Sequence, residues 1–475
     1  MDRRNFIKIA GMSSGYLYFA NQYNSAKNIL HNACKPNVIL ILADDLGYGD
    51  IGCYGQKKIN TPNLDKFASE GMRFTNCYSG SPVCAPSRNC LMTGQHTGHT
   101  RIRHNSSSFN KERVPLESSD LTVAEVFKSA GYSTGLIGKW GLGEPDTSGI
   151  PNKKGFDYFF GYLNQNHAHF YYPEYLWRNE EKVFYPENNN KKRGTYSHDL
   201  IADEALEFVK RNRSNPFFLH LTFTIPHAEL LVPEDSLDEY KNKFPENKPF
   251  PGEKDGYAAQ ETPHAAYAAM ITRMDKDVGR LMKLVKDLGI DDHTLIFFTS
   301  DNGPSDAAGS DPDFFNSNGN LRGAKYNLYE GGIRVPMLVR YPKKIKPAVS
   351  DYPWAFWDYM PTMCNFLNVK PKSGLDGISV LPVLYGKNQK EHEYFYWEIK
   401  ADKKNFNQAV RMGNWKAVRA NPDKPVELYN LSNDEGETKD VSLKNPGIVK
   451  QIEEIMRNSH TESKHWPMFT KKNEE

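Results

Sequence analysis

Cysteine is scarce in this chain and poorly placed for a scaffold. Six cysteines, at 34, 53, 77, 84, 90 and 364, are scattered over 475 residues. That excludes a disulfide-built fold, and no pair has zinc-site spacing with a second pair. An exported chain could still join two of them, with Cys53 and Cys77 the pair to examine. An excess of charge of either sign is missing too: 60 Lys and Arg stand against 58 Asp and Glu, a net charge of +2. Such a surface has no field for gripping nucleic acid. No run reaches the ~20 apolar residues that cross a bilayer. Nor is there an internal repeat or a low-complexity tract, which leaves no basis for a solenoid or a disordered array.

What is present is the composition of a large globular protein. The length allows a sizeable core and two or three domains. Aromatics make up 12%, which suits a sugar-binding cleft and a large core equally well. The first residues, "MDRRNFIKIAGMSSGYLYFA", place Arg3-Arg4 before Phe6-Ile7-Lys8 and a mildly apolar stretch broken by Gly11, Ser13, Ser14 and Gly15. This resembles a twin-arginine export signal, assigned to residues 1–33, and implies a periplasmic destination in a bacterial envelope. Cys34 is not read as a lipid site, because His31 and Asn32 stand where such a site wants small or apolar residues.

Further along, apolar runs alternate with helical patterns. "NVILILADDLGYGD" reads as a buried strand that delivers Asp44 and Asp45 into a loop. "LTVAEVFKSAGYSTGLIGKWGLG" has helical spacing up to Gly131 and then a strand ending at Lys139. "NPFFLHLTFTIPH" is a strand ending at Pro226-His227, and "HTLIFFTSDNG" one ending at Asp301-Asn302. Between the last two lies the long helical run "ETPHAAYAAMITRMDKDVGRLMKLVKDLG". The expected fold is α/β, a large, mostly parallel sheet sandwiched by helices, in which ligands gather beyond the C-terminal strand ends. From residue 389 the texture changes to short strands such as "EYFYWEI" and "QAVRMGNWKAVRA", closed by the helical "NPGIVKQIEEIMRNS". We therefore divide the chain into a catalytic domain, 34–388, and a smaller α+β subdomain on an antiparallel sheet, 389–475.

The strand ends carry chemistry. Asp44, Asp45, Asp301 and the Asn302 amide form an all-oxygen set. Like charges ~4 Å apart repel by about 4 kcal/mol at an effective dielectric near 20, so three aspartates sharing a pocket call for a cation. Oxygen donors alone favour Ca²⁺ or Mg²⁺ over zinc. A lone Asp-Asp pair would be an ordinary solvated turn or helix cap; the four groups together favour a metal. Cys84, in "SPVCAPSRNCLMTG", stands at a helix start, with Pro86 in the first turn and Gly94 as the stop. A low-pKa thiol is the plain reading, yet a thiolate matches poorly with a hard cation.

"CAPSRNCLMTG" resembles the Cys-x-Pro-Ser-Arg motif of the type I, formylglycine-dependent sulfatases, members of the alkaline phosphatase superfamily. "ADDLGYGD", "GKWGLG", "PH", "DNG" and "GAKYNLYEGGIRVP" follow that family's pattern in order, as do the late "RMGNWK" and "ELYNL". The resemblance implies that a maturase oxidises Cys84 to formylglycine (3-oxoalanine), whose hydrate attacks sulfur through an oxygen. It implies that Asp44, Asp45, Asp301, Asn302 and an oxygen of modified Cys84 hold Ca²⁺. Arg88 would then steady the diol, Lys139 and Lys325 grip sulfate oxygens, and His227 protonate the departing alcohol. Ser87 is read as a helix-start and maturation residue. One departure stands out: many relatives read Gly-Lys-Trp-His, where this chain has Gly141. His167 and His169 are possible substitutes, or sugar contacts, or solvated loop residues. Arg101, Arg103, His104 and Arg322 are further pocket candidates with equally plain structural readings. The expected activity is hydrolysis of sulfate monoesters on sulfated saccharides; the alternative is a phosphomonoester or phosphodiester hydrolase of the same superfamily.

Overall fold

The computed structural model describes residues 35–106, 113–254, 256–400 and 405–469. The export signal assigned to 1–33, and Cys34, lie outside the described residues. All eight residues of β1, Asn37–Asp44, are buried. Val38, Leu40 and Leu42 enter one core with Leu136, Phe218 and Phe297. Ile39, Ile41 and Ala43 enter the other with Leu219, Leu221 and Ile296. A strand apolar on both faces belongs inside a sheet covered on both sides.

The further strands are β2 Met72–Phe74, β3 Cys77–Tyr78, β4 Ser133–Lys139, β5 Tyr158–Tyr162, β6 Tyr175–Arg178, β7 Glu181–Phe184, β8 Phe217–Pro226, β9 Thr294–Ser300, β10 Met337–Arg340, β11 Ala348–Ser350 and β12 Trp354–Ala355. Ten of these twelve form one sheet in the order β11-β2-β10-β9-β1-β8-β4-β5-β6-β7, and β3 pairs with β12 separately. Its centre, β9-β1-β8-β4-β5, is parallel, while β10 and β6 join the two sides antiparallel. The helices Ser197–Asn212 and Pro263–Asp287 cover one face; Val123–Ser129 and Tyr359–Leu367 cover the other. Thr122 starts the helix at Val123 with a reciprocal cap, in which its hydroxyl accepts from the Glu125 N–H at 3.3 Å and Glu125 Oε2 accepts from the Thr122 N–H at 2.8 Å.

The late strands, β13 Phe395–Lys400, β14 Phe406–Met412, β15 Trp415–Arg419 and β16 Glu427–Asn430, form a separate antiparallel sheet in chain order. Helix Pro446–Asn458 lays Ile452 and Met456 against Val410, Ala417 and Leu428. This sheet braces loops of the large one. Trp397 Nε1 donates to the Ser79 carbonyl at 3.0 Å, and Lys416 Nζ lies 2.9 Å from Glu330 Oε1.

The pairing of Cys53 with Cys77 is corrected. Both are free, as are Cys84, Cys90 and Cys364. Cys77 is locked into β3 against Trp354, whereas the backbone of Cys53 is held by Asp65 Oδ1 at 2.6 Å. Among the described residues no helix is long and apolar enough to cross a membrane.

Candidate active site

Register alone brings the predicted carboxylates together. β1 pairs with β9 up to Ala43 and Ser300, so the residues leaving the two strands, Asp44-Asp45 and Asp301-Asn302, emerge side by side. Asp45 turns into a left-handed conformation, φ 62°, and its N–H donates to Asp301 Oδ1 at 3.1 Å. On the other flank Asp44 pairs with Pro226, which puts His227 beside it. Lys139 ends β4, the next strand out.

Cys84 arrives from the opposite side. The helix Cys84–Thr93 is buried along its whole length and ends at Gly94 in the left-handed region, φ 71°. Its start is fixed from outside the helix, since Ala85 N–H donates to Asn105 Oδ1 at 2.9 Å. Ser87 Oγ accepts from the Gly80 N–H at 3.1 Å, which ties the helix to the segment that leads into it. Cys84 Sγ sits 3.5 Å from Asp44 Oδ1. Burial pushes this thiol up, with Asp44 and Asp301 adding to the effect and Lys139 and Lys325 opposing it. The low-pKa thiol is therefore corrected: the helix start does not outweigh the loss of water.

Three cations face the three aspartates. Arg88 donates through Nε and Nη2 to Asp301 Oδ2 at 2.9 and 2.8 Å, and through Nη1 to the Lys139 carbonyl at 2.9 Å. Lys139 Nζ donates to Asp44 Oδ2 at 2.6 Å, and Lys325 Nζ to Asp45 Oδ2 at 2.7 Å. Burial works against ionised Asp44, but Lys139 and Arg88 hold it well below the usual carboxylate range. Asp301 goes the other way, pushed up to about 7 by burial and by Asp44 despite Arg88.

Whether this donor set suits a divalent cation can be tested on Asn302. Its Nδ2 donates to Asp45 Oδ1 at 2.7 Å, which leaves Oδ1 as the free acceptor, and that atom is buried with no hydrogen-bond partner. A buried acceptor without a partner is costly. Beside it, Asp301 is a carboxyl too poor in positive charge to ionise fully at neutral pH. Both deficits disappear with a hard cation among these oxygens, so the residues fit one. Ligating atoms of Asp44, Asp45, Cys84 and His227 also lie within 4.8 Å of one another.

His227 Nε2 is 3.4 Å from Asp45 Oδ2, and its Nδ1 bonds the Ala228 carbonyl. Burial, Lys325 and Lys139 keep the ring neutral, with Asp44 opposing. His169 stacks on it, centroids 4.3 Å apart. The Nδ1 of His169 lies 3.3 Å from the Tyr257 hydroxyl, while Nε2 is buried and unpartnered. Gly141 explains why a side chain is missing there. Its φ is +77°, and a Cβ would come within 2.9 Å of Gln165 Cδ. Gln165 fills that space, with both amide atoms buried and unpartnered.

The remaining candidates separate. His167 leaves the site, its ring lying 5.0 Å from Tyr162 and 4.5 Å from Tyr175. Arg322 stacks on Tyr329 at 3.8 Å and donates to the Tyr429 hydroxyl at 2.9 Å, tying its loop to the C-terminal sheet. Arg101 and Arg103 pair with Glu117 and Glu398. His104 faces Tyr326, next to Lys325, with ring centroids 6.4 Å apart, and burial lowers it to about 4. Sequence reasoning missed Asn105, Gln165 and Tyr257. None had a signal in the sequence, since Asn105 caps a helix start 20 residues earlier in the chain.

Comparison with known proteins agrees with this geometry. The "Sulfatase" family model matches residues 36–369, and the model "N-sulphoglucosamine sulphohydrolase, C-terminal" matches 324–464. Human N-acetylgalactosamine-6-sulfatase is 32% identical over 380 residues, covering 76% of this chain and 68% of that protein. The N-acetylgalactosamine-6-O-sulfatase of Bacteroides thetaiotaomicron is 29% identical over 494 residues, covering 90% of this chain and 94% of the relative. Among solved structures, Ps i-CgsB in complex with k-i-k-neocarrahexaose superposes with a TM-score of 0.76 at 30% identity, covering 90% and 93% of the two chains.

Proposed function

The chain belongs to the sulfatase family and is a sulfuric ester hydrolase, and from that premise we propose that it removes sulfate from a saccharide at the Cys84 site. Names of relatives that act on galactosamine 6-sulfates, and a structural relative holding a carrageenan-type oligosaccharide, support a sulfated sugar as substrate. The observation that carries the reading is the buried, charge-balanced cluster around Cys84, with the unpartnered Asn302 Oδ1 at its edge. Residues 34–388 form the catalytic unit and 389–475 its supporting subdomain. Export through the segment 1–33 would place the enzyme in the bacterial envelope, a maturase having first modified Cys84.

When present, formylglycine at position 84 supplies an oxygen nucleophile, and a Ca²⁺ held by Asp44, Asp45, Asp301, Asn302 and that residue supplies Lewis-acid polarisation. The protein's own groups do the rest. Lys139 and Lys325 each have ammonium donors beyond the one spent on an aspartate, and these receive sulfate oxygens. Arg88, committed to Asp301 and the Lys139 carbonyl, holds both groups in place. His227 offers Nε2 to the ester oxygen. The negative charge of the bound ester raises its proton affinity, so it can pass a proton to the departing alcohol. His169, with Nε2 free beside His227, takes the proton-accepting role that relatives give to a histidine at the position of Gly141. Burial, His227, Lys139 and Lys325 lower its proton affinity in the free site, and the bound anionic ester offsets them. Tyr326 and His104 form the rim.

Two measurements test this. Mass spectrometry of the tryptic peptide spanning Cys84 should find the aldehyde form in active protein. Matched sulfate and phosphate esters of one alcohol should release sulfate in preference. Full activity with an intact thiol, or preferential release of phosphate, would overturn the reading.

A further inference from the structure

The loop between β7 and the Ser197–Asn212 helix carries three cations in a row, Lys191, Lys192 and Arg193, all exposed. Among the described residues none of the three has an ion pair or a side-chain hydrogen bond. The loop that presents them is built. Asn188, 2% exposed, accepts from the N–H groups of Gly194 and Thr195 at 3.0 and 2.8 Å. Its own amide donates to the carbonyls of Pro173 and Thr195, both at 2.9 Å.

Together with Phe170, Tyr172 and Glu229, the three cations line a cavity of about 230 Å³. That is several times the ~30 Å³ share of one liquid water, enough for a charged group and part of a ring. The cavity adjoins the reactive centre by chain and by contact. Phe170 follows His169, which stacks on His227, and Glu229 lies two residues past His227. The acids on this wall are already engaged by backbone. Glu229 accepts from the N–H groups of Tyr171 at 3.3 Å and Ala258 at 3.1 Å, and Glu253 from that of Tyr257 at 3.3 Å. The three cations outnumber the two carboxylates, Arg193 acting on Glu229 at longer range, and stand beside an aromatic wall suited to the apolar face of a sugar.

We propose that this cavity is a second anion subsite, taking an acidic group, sulfate or carboxylate, on the sugar next to the one whose ester is cleaved. The substrate is thus a polyanionic saccharide. This inference rests on the sulfatase reading, and its test separates the two. Hydrolysis of 4-methylumbelliferyl sulfate, which engages the reactive centre alone, is measured against two competitors: N-acetylgalactosamine 6-sulfate and a chondroitin 6-sulfate tetrasaccharide. In Lys191→Gln/Lys192→Gln/Arg193→Gln the inhibition constant of the tetrasaccharide should rise about tenfold, three exposed pairs being lost, and its dependence on salt should flatten. The monosaccharide's constant and kcat/KM for the aryl sulfate should not move. An unchanged tetrasaccharide constant, an equal loss for both competitors, or no competition by the tetrasaccharide in the unaltered enzyme overturns the subsite. Failure to turn over the aryl sulfate at all would instead count against the sulfatase reading.

Discussion

Replacing Lys139 with methionine should move activity and calcium affinity in opposite directions. The side chain is wholly buried, and its ammonium lies 2.6 Å from Asp44 Oδ2. Taken alone, the protein groups come close to balance, with Asp44, Asp45 and a partly protonated Asp301 against Arg88, Lys139 and Lys325. A bound divalent ion would add two positive charges, and that surplus is what an anionic ester would meet. One unit charge ~4 Å from the sulfuryl oxygens is worth about 4 kcal/mol at an effective dielectric near 20. At about 1.4 kcal/mol per decade, and with Lys325 and Arg88 remaining, Lys139→Met should lower kcat/KM by about 10²- to 10³-fold. The same change removes the competitor for Asp44, so Ca²⁺ should bind more tightly. Aryl sulfate kinetics in saturating Ca²⁺ give the first quantity, and titration of chelator-stripped protein the second, with circular dichroism as the check on folding. A folded variant that loses less than about tenfold, or binds Ca²⁺ more weakly, would refute the charge accounting.

Three other outcomes follow from the same contacts. Gly141→His should destabilise and not improve catalysis, because the left-handed backbone costs about 1–2 kcal/mol and the Gln165 side chain must swing aside; thermal melts should show it, and a second change, Gln165→Gly, should recover only the part due to Gln165. His169→Gln should lower kcat by about 10²-fold, the scale of a lost proton-transfer group, whereas His167→Gln should leave it within about twofold; equal effects would remove His169 from the site. Glu437, buried beside Lys416 and Glu330, is pushed up from the usual 4.5 to about 7, burial being the chief cause, Lys416 opposing and Glu330 adding. Ionising it in the fold therefore loses stability as pH rises from 4.5 to about 7. Melting temperatures of Glu437→Gln should accordingly gain on the unaltered enzyme between about pH 5 and pH 8, and a parallel pair of pH profiles would show that the charge is not strained.

The parts of the site that were legible in the sequence are those fixed by strand register. Two-sided apolar runs identify the buried parallel strands, and parallel strands in register must discharge their last residues at one edge. Asp44, Lys139, His227 and Asp301 follow from that rule without any knowledge of loops. Arg88 and Lys325 have no such constraint, and their places were legible only through the resemblance. Where the chain is irregular, position along the sequence says little about direction. His167 and His169 are two residues apart on one short turn, yet one packs between tyrosines and the other stacks on His227. Arg322 and Lys325 share a loop and face opposite partners. The antiparallel pair β6 and β7 was also unforeseen, since its short, half-polar strands carry no clear alternation. Gln165 shows why Gly141 could not be understood alone. A missing side chain in a motif looks like a loss until the neighbour that occupies its volume is seen. The space is full, and the unpartnered ring nitrogen beside His227, His169 Nε2, comes from a different turn. The motif's chemistry has therefore to be judged by which atoms remain unpartnered around Cys84, and the letter at position 141 does not decide it.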